Sequence, residues 1–126
     1  MLNIATEAFI IYEKRHIYAN TILWMEGDWN YTRIHTVDNT TLMSSYTLKW
    51  YQQQLPGFWR IRKDAMVNAA HVVSIKRMAS DPKKLRLTLS SGVQIMVARR
   101  RQFQLRHNWG QHTGRFRFER EMHDVS

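Results

Sequence analysis

The chain reads as a mainly β protein with two short helices. Three observations predict it. Short runs rich in β-branched and aromatic residues recur along the chain, and several alternate with a period of two. Turn residues punctuate them at Gly27-Asp28, Asp38-Asn39, Asp81-Pro82 and Ser90-Ser91-Gly92. Only two breaker-free stretches have helical spacing.

Phe9-Ile10-Ile11-Tyr12 is the first apolar run, and Thr21 to Glu26 the second. Tyr31 to Val37 alternates, with Tyr31, Arg33, His35 and Val37 on one face and Thr32, Ile34 and Thr36 on the other. Neither face is purely apolar, but the period predicts a strand. Asp38-Asn39 turns the chain into Thr40 to Ser44, the partner strand of a hairpin. Thr47 is positioned to cap a helix through Gln54, with Leu48, Tyr51 and Leu55 sharing a face, and Pro56-Gly57 stops it. Phe58 to Ile61 suits a short strand or ordered loop, and His71 to Met78 a strand. Leu85-Arg86-Leu87-Thr88-Leu89 alternates cleanly and returns through Ser90-Ser91-Gly92 into Val93 to Val97. Arg99 to Asn108 is the second helix, and a loosely packed basic tail is expected beyond Gly110.

A length of 126 residues suits one domain, and 44% hydrophobic content excludes a disordered polyampholyte. No apolar run is long enough to span a bilayer, and Met1 to Glu7 lacks the basic and apolar regions of a secretion signal. The absence of cysteine excludes disulfide scaffolds, Cys-based zinc sites and thiol nucleophiles, and suits the cytoplasm.

The net charge of +9 is unevenly distributed. Residues 1–56 carry four cations against five anions, whereas residues 57–126 carry fifteen against five. Solubility needs no such segregation, so the second half points to a polyanion. Phe58-Trp59-Arg60-Ile61-Arg62-Lys63 and Val97-Ala98-Arg99-Arg100-Arg101 each set cations beside an apolar run. Guanidinium forks suit phosphate oxygens and the guanine edge. No basic amphipathic helix with a wide apolar face is visible, which disfavours a membrane surface. Three consecutive arginines opening a helix also oppose its dipole, a cost that an anionic partner would offset.

Other residues read as structural. Asn68 suits a buried amide tying loop to strand, and Phe58, Trp59, Trp24 and Trp50 suit the core. Trp29 is the exception, in a polar turn. His107 and His112 lack a carboxylate at ligand spacing, so no metal site is expected. Glu26, Asp28 and His35 fall on both faces and around a turn. With no phosphate loop, nucleophile elbow or paired carboxylates, neither an enzyme nor a cofactor is expected.

Six segments, in order, resemble the LytTR (LytR/AlgR-type) DNA-binding domain family. They are Ile22 to Glu26, Asn30-Tyr31-Thr32-Arg33-Ile34-His35, Leu48 through Leu55-Pro56 to Ile61, Arg62 to Asn68, Leu85 to Val93, and Val97-Ala98-Arg99-Arg100. The resemblance covers about residues 15–108, leaving 1–14 as an N-terminal extension and 109–126 as a polar basic tail. It implies an elongated stack of short antiparallel sheets that reads successive major grooves of double-stranded DNA through loops. It also implies a transcription regulator of bacterial, response-regulator output type. The implied contacts are Trp29, Asn30 and Thr32 before and within the hairpin, Arg62 and Lys63 after the Phe-Trp-Arg element, and Arg99 and Arg100 at the last helix. Arg60 and Arg101 join these as cations for phosphate docking.

Four positions depart from the family pattern. Arg62 replaces a His, Lys63-Asp64 replaces Arg-Ser, and Ala98 replaces a Ser. Lys63 keeps the charge but loses the bidentate fork, favouring phosphate over guanine. Two protomers on repeated sites are the implied assembly. A receiver domain has no room here, so the input is expected from a separate signalling protein, from abundance, or from a receiver on a longer chain. The alternative function is a protein-interaction module using the same basic face for an acidic partner. A third is single-stranded or RNA binding by stacking on Trp29 and Tyr31.

Overall fold

The computed structural model describes residues 8–122. Expectations placed on 1–7 and 123–126 lie outside them. The described chain forms two compact units, one of residues 8–60 with 64–70 and the other of 61–63 with 71–122. Among the described residues no helix is long and apolar enough to cross a membrane.

In the first unit, β1 (Phe9–Tyr12) and β2 (Arg15–Tyr18) form a hairpin. Its two turn residues, Glu13 and Lys14, both have positive φ, as a type I′ turn demands. A five-stranded sheet follows, built from β3 (Ile22–Asp28), β4 (Tyr31–Thr36), β5 (Thr41–Ser44), β6 (Phe58–Arg62), whose last two residues belong to the second unit, and β7 (Ala65–Asn68). Its order is β5-β4-β3-β7-β6. Ile10, Ile22, Met25, Ile34, Leu48, Tyr51, Leu55, Phe58 and Met66 make its core. Each such side chain removed from water contributes roughly 1.5–3 kcal/mol.

The mixed face of β4 has a physical explanation. Thr32, Ile34 and Thr36 are all buried, and the two hydroxyls are satisfied locally. Thr32 Oγ1 donates to the Tyr46 carbonyl at 2.7 Å and Thr36 Oγ1 to the Thr40 carbonyl at 3.0 Å. Burying a hydroxyl is costly only when it has no partner. The Thr36 hydroxyl and then Thr40 also hold the exposed Asp38 carboxyl below its ordinary pKa.

Helix α1 (Leu48–Gln54) starts where expected, with Thr47 Oγ1 accepting from the Trp50 N–H at 3.2 Å. Leu48, Tyr51 and Leu55 face the core. Burial pushes the Tyr51 hydroxyl above its ordinary pKa, although it shares a hydrogen bond with the Ser44 hydroxyl. Trp50 is a correction: it lies 38% exposed and stacks on Tyr46, with ring centroids 4.3 Å apart. The helix turns Leu48 and Tyr51 inward, which leaves Trp50 outward. Asn68 is the buried tie expected of it. Its Nδ2 donates to the Ala19 and Ile22 carbonyls, each at 2.9 Å, and its Oδ1 accepts from the Ala70 N–H at 3.0 Å.

The second unit carries β8 (Val72–Arg77), β9 (Leu85–Leu89), β10 (Gln94–Val97) and β11 (Glu119–Arg120), in the order β10-β9-β8-β11. The leucine alternation sends Leu85, Leu87 and Leu89 inward at 0–1% exposure. Ile75, Ile95, Val97, Leu105 and Phe118 are buried as well. Helix α2 (Gln102–Thr113) runs past the expected end at Asn108 and closes on Gly114, whose φ of 78° permits the left-handed cap. The expected loose tail is also corrected. Phe118 is buried, and β11 pairs in parallel with β8 through Glu119 opposite Lys76. The β1–β2, β3–β4, β3–β7, β4–β5, β8–β9 and β9–β10 pairings are antiparallel.

Candidate nucleic-acid interface

Two segments far apart in sequence meet in the second unit. The Ala98 N–H donates to the Ile61 carbonyl at 2.9 Å. Both sides of that bond are anchored, since Ile61 is fully buried and Val97 is 6% exposed. Arg62 and Lys63 continue from Ile61, and Arg99, Arg100 and Arg101 continue from Ala98. Buried apolar residues thus hold five cations close along the backbone. Arg62, Lys63, Arg99 and Arg100 are exposed, and Arg101 is half-buried.

At the start of α2 the charge is one-sided. Arg99–Arg101 form a 3-10 turn that leads directly into α2, and neither first turn contains an acidic residue. Ala98, at the N-cap of that turn, has no hydroxyl to supply, and Arg101 gives α2 no side-chain cap. Among the described residues, no ion pair engages Arg99, Arg100 or Arg101. Backbone N–H groups at a helix start, together with unneutralised guanidinium groups, form an environment suited to phosphate oxygens.

The remaining candidates lie in the first unit. Trp29 and Asn30 make the two-residue turn between β3 and β4, where Asp28 pairs with Tyr31. Trp29 is 95% exposed and has a φ of 60°. Positive φ confined to the first turn residue is the type II′ pattern, normally filled by glycine, so a tryptophan here is strained by about 1 kcal/mol or more. Arg60 is tied to α1, its Nη1 donating to Gln52 Oε1 at 2.7 Å. Thr32 is a correction. It has no exposed surface and its hydroxyl is engaged by the Tyr46 carbonyl, so it supports the hairpin and offers nothing to a ligand.

Glu26, Asp28 and His35, expected on both faces, are instead linked, the two carboxylates by Arg33 and His35 by Glu26. Arg33 Nη2 lies 2.8 Å from Asp28 Oδ2 and its Nη1 lies 3.7 Å from Glu26 Oε1. His35 Nε2 contacts Glu26 Oε1 at 2.9 Å, and its ring stacks on Trp24 at 4.4 Å. Strand pairing brings them together, with Glu26 opposite Arg33 and Trp24 opposite His35. Sequence reasoning also passed over Arg77, Arg106 and Arg117, which counted only toward net charge. They line one concavity of the second unit, and no motif spacing signals it.

The LytTr DNA-binding domain family model matches residues 13–110, and the chain belongs to that family. Among solved structures, it is similar to the LytTr DNA-binding domain of a protein described as a methyl-accepting/DNA response regulator from Bacillus cereus. The TM-score is 0.67 at 17% identity, over 82% of this chain and 96% of that one. At that identity the likeness establishes the mainly β fold. No curated protein matches the chain.

Proposed function

We propose that the chain binds duplex DNA sequence-specifically, as the output domain of a bacterial, cytoplasmic transcription regulator spanning about residues 15–108. The Ala98–Ile61 hydrogen bond carries the reading, because it joins the Arg62-Lys63 and Arg99-Arg100-Arg101 segments into one cationic group. Those five cations dock on phosphates, and Lys63 acts as a point charge without the fork of an arginine. Trp29 and Asn30 supply groups for base edges in the major groove, the Asn amide being suited to adenine. Two protomers engage repeated sites, and a separate signalling protein supplies the input.

Anisotropy titration of a labelled duplex across salt concentrations tests this. Five phosphate contacts give a slope of log affinity against log salt of about −4.5. A flat salt response, with tight binding to an acidic protein instead, would replace this reading with the interaction module. Preference for single-stranded over duplex oligonucleotides would replace it with a stacking platform.

A further inference from the structure

The second unit has another cationic feature, completed by residues beyond the segment that the family model matches. Arg77 at the end of β8, Arg106 on α2 and Arg117 after it line a concavity of about 370 Å³, with Phe116 and Phe118 as its apolar walls. No carboxylate lines it. Arg77 Nη1 donates to the Pro82 carbonyl at 3.1 Å, and its guanidinium lies 5.8 Å from the Phe118 ring centroid. Arg106 Nε donates to the Phe116 carbonyl at 2.6 Å. Each of these arginines gives one of its N–H donors to a neutral carbonyl, which fixes the head group and leaves its charge uncompensated. The nearby acids are already engaged, Glu119 with Arg115 at 3.3 Å and Glu121 with Arg86 at 3.1 Å. Arg117 has no ion pair among the described residues.

We propose that this concavity binds a phosphomonoester carried by a small molecule. Three guanidinium groups around one hollow suit a single group with charge near −2 and three acceptor oxygens. A nucleic-acid strand instead presents single charges spread along its length. The ring of Phe116, 51% exposed, is available to the organic part of the ligand. Gly110 holds that wall in position. A Cβ added there would fall 2.2–2.9 Å from three carbons of the Phe116 ring, so only glycine lets the ring lie against α2.

Calorimetric titration at constant ionic strength with inorganic phosphate and with phenyl phosphate tests the site. Both are expected to bind saturably, phenyl phosphate more tightly. Arg117→Gln, which removes an exposed side chain, is expected to weaken both by about tenfold. Gly110→Ala, a change that favours the helix itself, should weaken phenyl phosphate more than phosphate. Arg100→Ala should leave both unchanged, and Arg117→Gln should leave duplex affinity unchanged. No saturable binding, or equal binding by Arg117→Gln, overturns the proposal. So does loss of duplex affinity in Arg117→Gln without phosphate binding, which would assign these arginines to the DNA backbone. Because phosphate is titrated without DNA, failure of the DNA reading leaves this result intact.

Discussion

The β3–β4 hairpin and the turn that opens α2 use arginine in opposite ways. Arg33 sits between Glu26 and Asp28, and its strand partner across the hairpin is itself acidic. Arg99, Arg100 and Arg101 follow one another beside a helix start and are met by no carboxylate among the described residues. Aromatic side chains divide in the same manner, since Trp24 is covered by His35 whereas Trp29 is 95% exposed on a strained turn. Charge and ring area that the fold consumes are paired within it. What is left unpaired, at a local energetic cost, is what a ligand can use.

Four variants test this contrast. The largest effect is expected from combining Arg99→Ala, Arg100→Ala and Arg101→Ala. Duplex affinity should fall about a thousandfold, or about 4 kcal/mol, and the salt slope should shrink by about 2.7. Unfolding free energy from denaturant titration should stay within about 0.5 kcal/mol, because these side chains hold nothing in the fold. A large loss of stability in that variant would make the arginines structural and erase the difference from the hairpin.

Asn68→Ala should do the reverse. It leaves two carbonyls and one N–H without their partner, so stability should drop by about 3 kcal/mol in a urea titration. The salt slope of duplex binding should not move. Trp29→Gly separates the two roles at a single position. Relief of the positive φ should stabilise the protein by about 1 kcal/mol, while discrimination between duplex sequences weakens. Unchanged discrimination would leave the exposed ring without a role in reading DNA. Arg33→Ala should have the smallest effect, under about 1 kcal/mol for a partly exposed pair, with duplex affinity unaltered.

Much of this architecture is legible residue by residue. The alternation at Leu85, Leu87 and Leu89 sends all three inward, and the Thr47 hydroxyl caps α1 where the spacing predicts. Elsewhere local pattern misleads. Thr32 looks like a polar contact and is buried, because the Tyr46 carbonyl waits for its hydroxyl. Trp50 looks like core and is exposed, because the inward positions of α1 go to Leu48 and Tyr51. Phe118 lies in a stretch that composition alone assigns to a tail, yet it is buried where β11 joins β8.

The amino-acid order alone determines the strand periodicity, the helix cap, the turns and the segregation of positive charge into the second half. These depend on backbone geometry and side-chain chemistry acting over a few residues. Which cations come together was decided only in three dimensions, by Ala98 bonding to Ile61 and by Arg77, Arg106 and Arg117 gathering around two phenylalanines. The physical reason is that such proximity depends on sheet register and long-range burial, which no local spacing encodes.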